Sequence, residues 1–256
     1  MSVTGEDLAD IGRLLAYAAR PKELPARTEA YRGLVDRYLQ DEQFALAADR
    51  VAAGTGIALH VDPVAGAVAV ADADSPLRMP LAEFRKNTYP HERALLGIVV
   101  LSVARVAYPT NDRLDDNQRV AVVAVSSVVD YLNRLIDRLS EASAADPEDS
   151  DDSLIELWRQ WVRMRQDRFD AKRVSIKDRL GIVKRTCEYL EEQGLLQRRS
   201  DEDGGTFRAT HRFRLAVTAL VEDSDLYAGL VELTDKTASP ASGADTNGAN
   251  GRDDEP

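Results

Sequence analysis

A single cysteine, three histidines and two tryptophans are spread over 256 residues. With only Cys187, no disulfide can form within the chain, and a reducing compartment is the natural setting. His60, His91 and His211 lie far apart, without the spacing of a metal site. The chain contains no HExxH, CxxC, GxxxxGK[ST] or GxSxG motif. The standard signatures of zinc hydrolysis, dithiol redox chemistry, P-loop nucleotide binding and a nucleophile elbow are therefore missing. Cys187 falls within a predicted helix and reads as a packed thiol. These absences lead to the expectation of a non-enzymatic protein with no cofactor and no metal.

Long apolar runs are also scarce. The strongest, ALLGIVVLSVARVA (Ala94 to Ala107), is too short for a bilayer and carries Arg105. The opening MSVTGEDLAD is polar and acidic, unlike a secretory signal. A cytoplasmic protein without a membrane segment is expected. Positive charge is in deficit too, with 33 Lys and Arg against 44 Asp and Glu and a net charge of -11. Any contact with a polyanion must come from a local basic face.

What is present is amphipathic order. Leu8, Ile11, Leu14, Leu15 and Ala18 recur at helical spacing, and helices are also predicted over Ala26 to Gln40 and Glu42 to Gly54. IALHVD and AVAVAD then read as strands joined by a turn at PVAG (Pro63 to Gly66). Pro90 opens a helix through HERALLGIVVLSVARVAY, and Arg113 to Ser143 reads as one further long helix. Its apolar positions include Val120, Val123, Val128, Leu132, Leu135 and Leu139. Small residues, Pro147 and a run of acids mark a linker. Beyond it, Leu154, Trp158, Trp161 and Val162 form an apolar stripe flanked by Arg165, and Ser175 is a candidate N-cap for the helix ending at Gly194. The fold class is α+β and predominantly helical, with two winged-helix-like units joined by a helical middle region. The predicted domains are 1–143, a linker at 144–153, a C-terminal winged helix at 154–235 containing a last short helix in EDSDLYAGLVELT, and a disordered tail at 236–256.

LLQRRSDEDGGTFRATHRFRLAV (Leu195 to Val217) sets a hairpin around an acidic, glycine-containing turn. Counting by twos along GTFRATHRFRLAV puts Phe207, Ala209, His211, Phe213 and Leu215 on one face. Arg208, Thr210, Arg212 and Arg214 fall on the other. Arg198 and Arg199 add charge from the preceding strand, and Lys184 and Arg185 from the helix before it. These seven cations are the candidate DNA-binding residues. Asp201, Glu202 and Asp203 at the tip would meet phosphate repulsion, so the strand edge is the better contact. The alternative is an ordinary solvated sheet face, its arginines paired with Glu188, Glu191 and Glu192.

RLGIVKRTCEYLEEQGLL (Arg179 to Leu196) has the short-helix, LGI turn, helix pattern of helix-turn-helix regulators. That motivates a second reading, a winged-helix transcriptional regulator binding operator DNA as a dimer. A third possibility is an active site assembled from distant carboxylates, for which no motif speaks.

FALAADRVAAGTGIALHVD, YPHERALLGIVVLSVARVAYP and RTCEYLEEQGLLQRRSDEDGGTFRATHRFRLAVTAL, within residues 26–235, carry a family resemblance. The chain resembles the MukE-like, or KITE, subunits of bacterial SMC complexes, of the MukBEF-like or Wadjet plasmid-defence type. The resemblance implies a nucleoid-associated homodimer that binds a kleisin subunit and, through it, an SMC ATPase that extrudes DNA loops. It also implies contact with double-stranded DNA without sequence reading, in chromosome organisation or plasmid defence.

Overall fold

The computed structural model describes residues 4–72, 75, 90–116, 119–145, 152–164 and 178–223. The predicted linker core, the N-cap at Ser175, Arg165 and everything beyond residue 223 lie outside them. The described residues are predominantly helical with small antiparallel sheets, an α+β arrangement.

The first core is built from α1 (Gly5–Ala18), α2 (Glu29–Gln40), α3 (Glu42–Gly54) and the hairpin β1 (Ile57–Asp62) and β2 (Gly66–Ala71). Thr4 and Asp7 form a reciprocal capping box at the start of α1. Ile11, Leu14 and Ala18 turn inward from α1, while Leu8, expected on the same stripe, stands exposed in the first turn. They meet Tyr31, Leu34 and Val35 of α2 and Phe44 and Ala48 of α3. Asp41 ends α2 and caps α3, accepting from the amides of Gln43 and Phe44. The hairpin is antiparallel with Ile57 opposite Ala71 and Asp62 opposite Gly66. Asp62 closes its turn by accepting from the amides of Val64 and Ala65 at 2.8 and 2.7 Å. Gly66 has φ +76°, and a Cβ there would overlap the Tyr31 hydroxyl.

The second core holds α4 (Pro90–Ala107), α5 (Asn111–Asp115), β3 (Val122–Ala124), α6 (Val125–Ala145), α7 (Asp152–Arg163), α8 (Arg179–Glu192), β4 (Leu196–Ser200), β5 (Thr206–Ala209) and α9 (His211–Asp223). Leu95, Val99 and Val103 of α4, Leu132, Leu135 and Ile136 of α6, Leu157 and Trp161 of α7, Val183 and Cys187 of α8, Phe207 of β5, and Phe213 and Val217 of α9 share one apolar cluster. Residues on both sides of the linker expected at 144–153 thus share one apolar cluster. The break between cores falls between Ala67 and Leu95, because α4 and α6 bury their apolar stripes against α7 and α8 rather than against the first hairpin.

The long helix expected from Arg113 is interrupted. Its β-branched run forms β3, which pairs with β5 in the register Val122 to Arg208 and Val123 to Phe207. The sheet order is β3-β5-β4, so β5 is central. Val123 is buried under this sheet, whereas Val120, assigned to a helix stripe, is exposed. Likewise Val162 is exposed, while Trp161 is buried and donates its indole N–H to Asn133 at 3.0 Å.

Phe207 sits fully buried on the central strand. Its replacement by alanine should cost about 3–5 kcal/mol in urea unfolding, as for other large buried rings. Asp7 supplies a pH signature. The Thr4 amide, the Thr4 hydroxyl and then the Arg37 guanidinium hold its carboxyl down at about 2, from an ordinary 3.8. A depressed value stabilises the fold above pH ~4 and ceases to do so as pH falls through about 2. Asp7→Asn should flatten the loss of stability between pH 4 and 2, measured by urea titration at each pH.

Candidate functional site

The arginine face expected along β5 does not exist as a strand. β5 ends at Ala209, and Thr210 turns the chain into α9. The Thr210 hydroxyl accepts from the Phe213 amide at 3.2 Å and donates to the carbonyls of Gly194 and Leu195. That is an N-cap three residues ahead of its amide partner. Arg208 therefore stays on the sheet, while Arg212 and Arg214 leave with the helix.

Arg212 is buried, at 7% exposure. Its guanidinium donates to the carbonyl of Ala67 in β2 at 3.0 Å and to that of Ala18 at 2.6 Å. Ala18 is the last residue of α1, a helix with no basic residue in its final turn. Arg212 supplies a cation to that negative end from 194 residues away. Ala67 in turn donates its amide to the Tyr31 hydroxyl at 2.6 Å, and Tyr31 stacks on Tyr17 with ring centroids 4.2 Å apart. Burial pushes the Arg212 pKa down and Tyr31 opposes it, yet a guanidinium stays charged at physiological pH. Arg214 lies 3.7 Å from the Asp62 carboxylate, and its Nε is buried without a hydrogen-bond partner. Both arginines thus fasten the second core to the first hairpin. Arg212 has no free face for a nucleic acid.

Two of the other five candidates are held by carboxylates. Arg198 binds Glu188 at 2.8 Å, Asp201 at 2.9 Å and Glu191 at 3.5 Å, over the Phe207 ring. Arg185 lies 3.5 Å from Glu192 and 3.7 Å from Glu188. The solvated-face alternative thus describes Arg198 and Arg185 well. Lys184, Arg199 and Arg208 have no ion pair among the described residues. Arg199 is exposed where the β4–β5 register shifts between Arg198 and Ser200, a bulge that aims it outward.

Between the cores lies a cleft of about 500 Å³. Lys22, Arg27, Arg119, Arg208, Arg212 and Arg214 line it, against one carboxylate, Glu191. Lys22 and Arg27 come from the α1–α2 connection, and Arg119 from the approach to β3. None of these three was singled out in the sequence. They stand alone in chain order, in PKELPAR and QRV, and no periodicity links them to Arg208. The cleft closes where Pro21 packs on Gly194. Gly194 has φ +68°, and a Cβ there would overlap the Pro21 carbonyl oxygen.

Cys187 is fully buried, and burial, followed by the Glu188 charge, pushes its thiol up to about 12. It stays protonated at neutral pH, a packed thiol rather than a nucleophile. His60 lies on β1, His91 in α4 and His211 at the start of α9. Among the described residues there is no group of three or more His, Cys, Asp or Glu able to hold a metal ion. No described helix is long and apolar enough to cross a membrane. No protein-family model, curated protein or solved structure matches the chain.

Arg212→Ala should cost about 3 kcal/mol in urea unfolding, because two buried carbonyls lose a charged donor. Arg212→Lys should recover less than half of that, since one ammonium cannot span both acceptors. Gly194→Ala should loosen the same junction, seen as a lower midpoint in urea unfolding.

Proposed function

We propose that the chain is a non-enzymatic accessory subunit of an SMC–kleisin complex, made of two winged-helix-like units, that contacts DNA without reading sequence. The observation that carries this is the order of the second core. Helix α4, strand β3, helices α6 and α8 and hairpin β4–β5, with β5 between β3 and β4, support a winged-helix reading in which α5 and α7 are additions. In the first core three helices run into the β1–β2 hairpin, which supports the same reading. The family resemblance supplies the partners: a second copy of the chain, a kleisin, and an SMC ATPase reached through it.

Operator reading is poorly served. The helix that would enter a major groove is α8, and seven of its fourteen residues are buried, from Leu180 to Leu190. Glu188, Glu191 and Glu192 lie on the same helix and hold Arg185 and Arg198. Lys184 and the bulged Arg199 remain for phosphates outside the cleft, which Arg208 lines. Contact of that kind positions a duplex and carries no sequence information.

Binding to two unrelated duplexes should be equal and should weaken steeply between 50 and 200 mM salt, each an order-of-magnitude range for phosphate contacts. Lys184→Glu with Arg199→Glu should weaken both equally and lower the salt slope by about 2. Fluorescence anisotropy measures this, and strong preference for one promoter would favour the regulator instead. Co-purification with a kleisin-like protein encoded beside this chain tests the assembly, and failure to bind any such kleisin would sink the reading.

A further inference from the structure

We propose that the cleft between the two cores is a binding site for a compact polyphosphate group, separate from the DNA-contacting cations Lys184 and Arg199. The inference stands on the cleft itself and does not rest on the SMC reading.

Charge is the first reason. In a chain of net charge -11, six cationic side chains line a space of about 500 Å³ with Glu191 as the one acidic lining residue. Arg212 is already held by two carbonyls and Arg214 by Asp62, which leaves Lys22, Arg27, Arg119 and Arg208 for a ligand. Where arginines cluster with acids they are neutralised, Arg198 by three carboxylates, Arg37 by Asp7, Asp10 and Asp41. Lys22, Arg27, Arg119 and Arg208 have no such partner among the described residues. Like charges lining one half-open cleft raise one another's potential and attract a multiply charged anion.

Depth is the second reason. Arg212 is 7% exposed and the Arg214 side chain 17%, so they form the floor. Lys22, Arg27 and Arg119 are exposed and form the mouth. A duplex, rigid and far wider than the cleft, could touch the mouth alone. A short chain of phosphates can enter, and the volume is within the usual range for small-ligand pockets, about 300–1,000 Å³. The chemistry is anion binding by guanidinium and ammonium donors, with no bond made or broken.

Two sources share this group: inorganic polyphosphate and a nucleoside polyphosphate. Leu24, Val64 and Val120 also line the cleft, and Val64 and Val120 are 54% and 44% exposed. That apolar rim has no use for bare phosphate and would cover a nucleoside.

Isothermal titration of the full chain with tripolyphosphate, ATP and GTP, at fixed ionic strength set with chloride, tests the site. Saturable one-to-one binding is expected, accompanied by a rise in Tm because the ligand would join both cores. Tighter binding of a nucleotide assigns a nucleoside polyphosphate; equal affinities assign inorganic polyphosphate. Arg208→Ala should weaken binding at least about tenfold, the loss of one charge-assisted contact. Should that variant fold poorly, Lys22→Ser with Arg119→Ser, both at the exposed mouth, should do the same. The Lys184→Glu, Arg199→Glu protein should bind tripolyphosphate as the parent does. No saturable binding, or unchanged affinity in the cleft variants, overturns the proposal. So does loss of polyphosphate binding on changing Lys184 and Arg199 alone, which would mean one diffuse anion surface. DNA binding in the earlier test can fail without touching any of these results.

Discussion

A charged guanidinium buried between two cores is the constraint on which the rest of the molecule turns. Arg212 must find acceptors where little water reaches, and an unpaired charge there would be costly. Its acceptors are backbone carbonyls, Ala18 at the end of α1 and Ala67 in β2. Both belong to the first core, and Arg212 belongs to α9 of the second. Satisfying one side chain therefore fixes how the two cores meet. Tyr31 extends the arrangement, since its hydroxyl takes the Ala67 amide that faces the same junction. Gly194 completes it by letting Pro21 approach as no larger residue could.

From that junction follows the distribution of charge. Glu188, Glu191 and Glu192 of α8 and Asp201 of the β4–β5 turn are spent on Arg185 and Arg198. Docking then brings the α1–α2 connection against the β5–α9 corner, and their cations gather with little to balance them. Neither segment has this excess alone. An acidic protein thus acquires a basic cleft through the joining of two cores rather than through composition.

Much of the fold was legible in local signals. The hairpin β1–β2 was readable because its alternating pattern is broken by PVAG, whose turn is set by Asp62 and Gly66. The helix ending near Gly194 and the acidic turn of β4–β5 were readable for the same local reasons. β3 was not, because a strand of three residues inside an apolar run exists only through its pairing with β5. α9 was misread because Phe207, Ala209, His211, Phe213 and Leu215 alternate as well as any strand. The competing signal was Thr210 as a cap, followed by Phe213, Val217 and Leu220 at helical spacing. An N-cap overrides alternation when its hydroxyl has an amide to satisfy and the following face has a core to enter.

Periodicity and turn chemistry, acting over a few residues, determined most of the helices and the two hairpins. Tertiary structure alone decided which core α4 and α6 would join, which arginines would be buried, paired or left open, and that Lys22, Arg27 and Arg119 would face Arg208. Those outcomes depend on contacts between residues distant in the chain, where burial and charge are set by neighbours that no local pattern names.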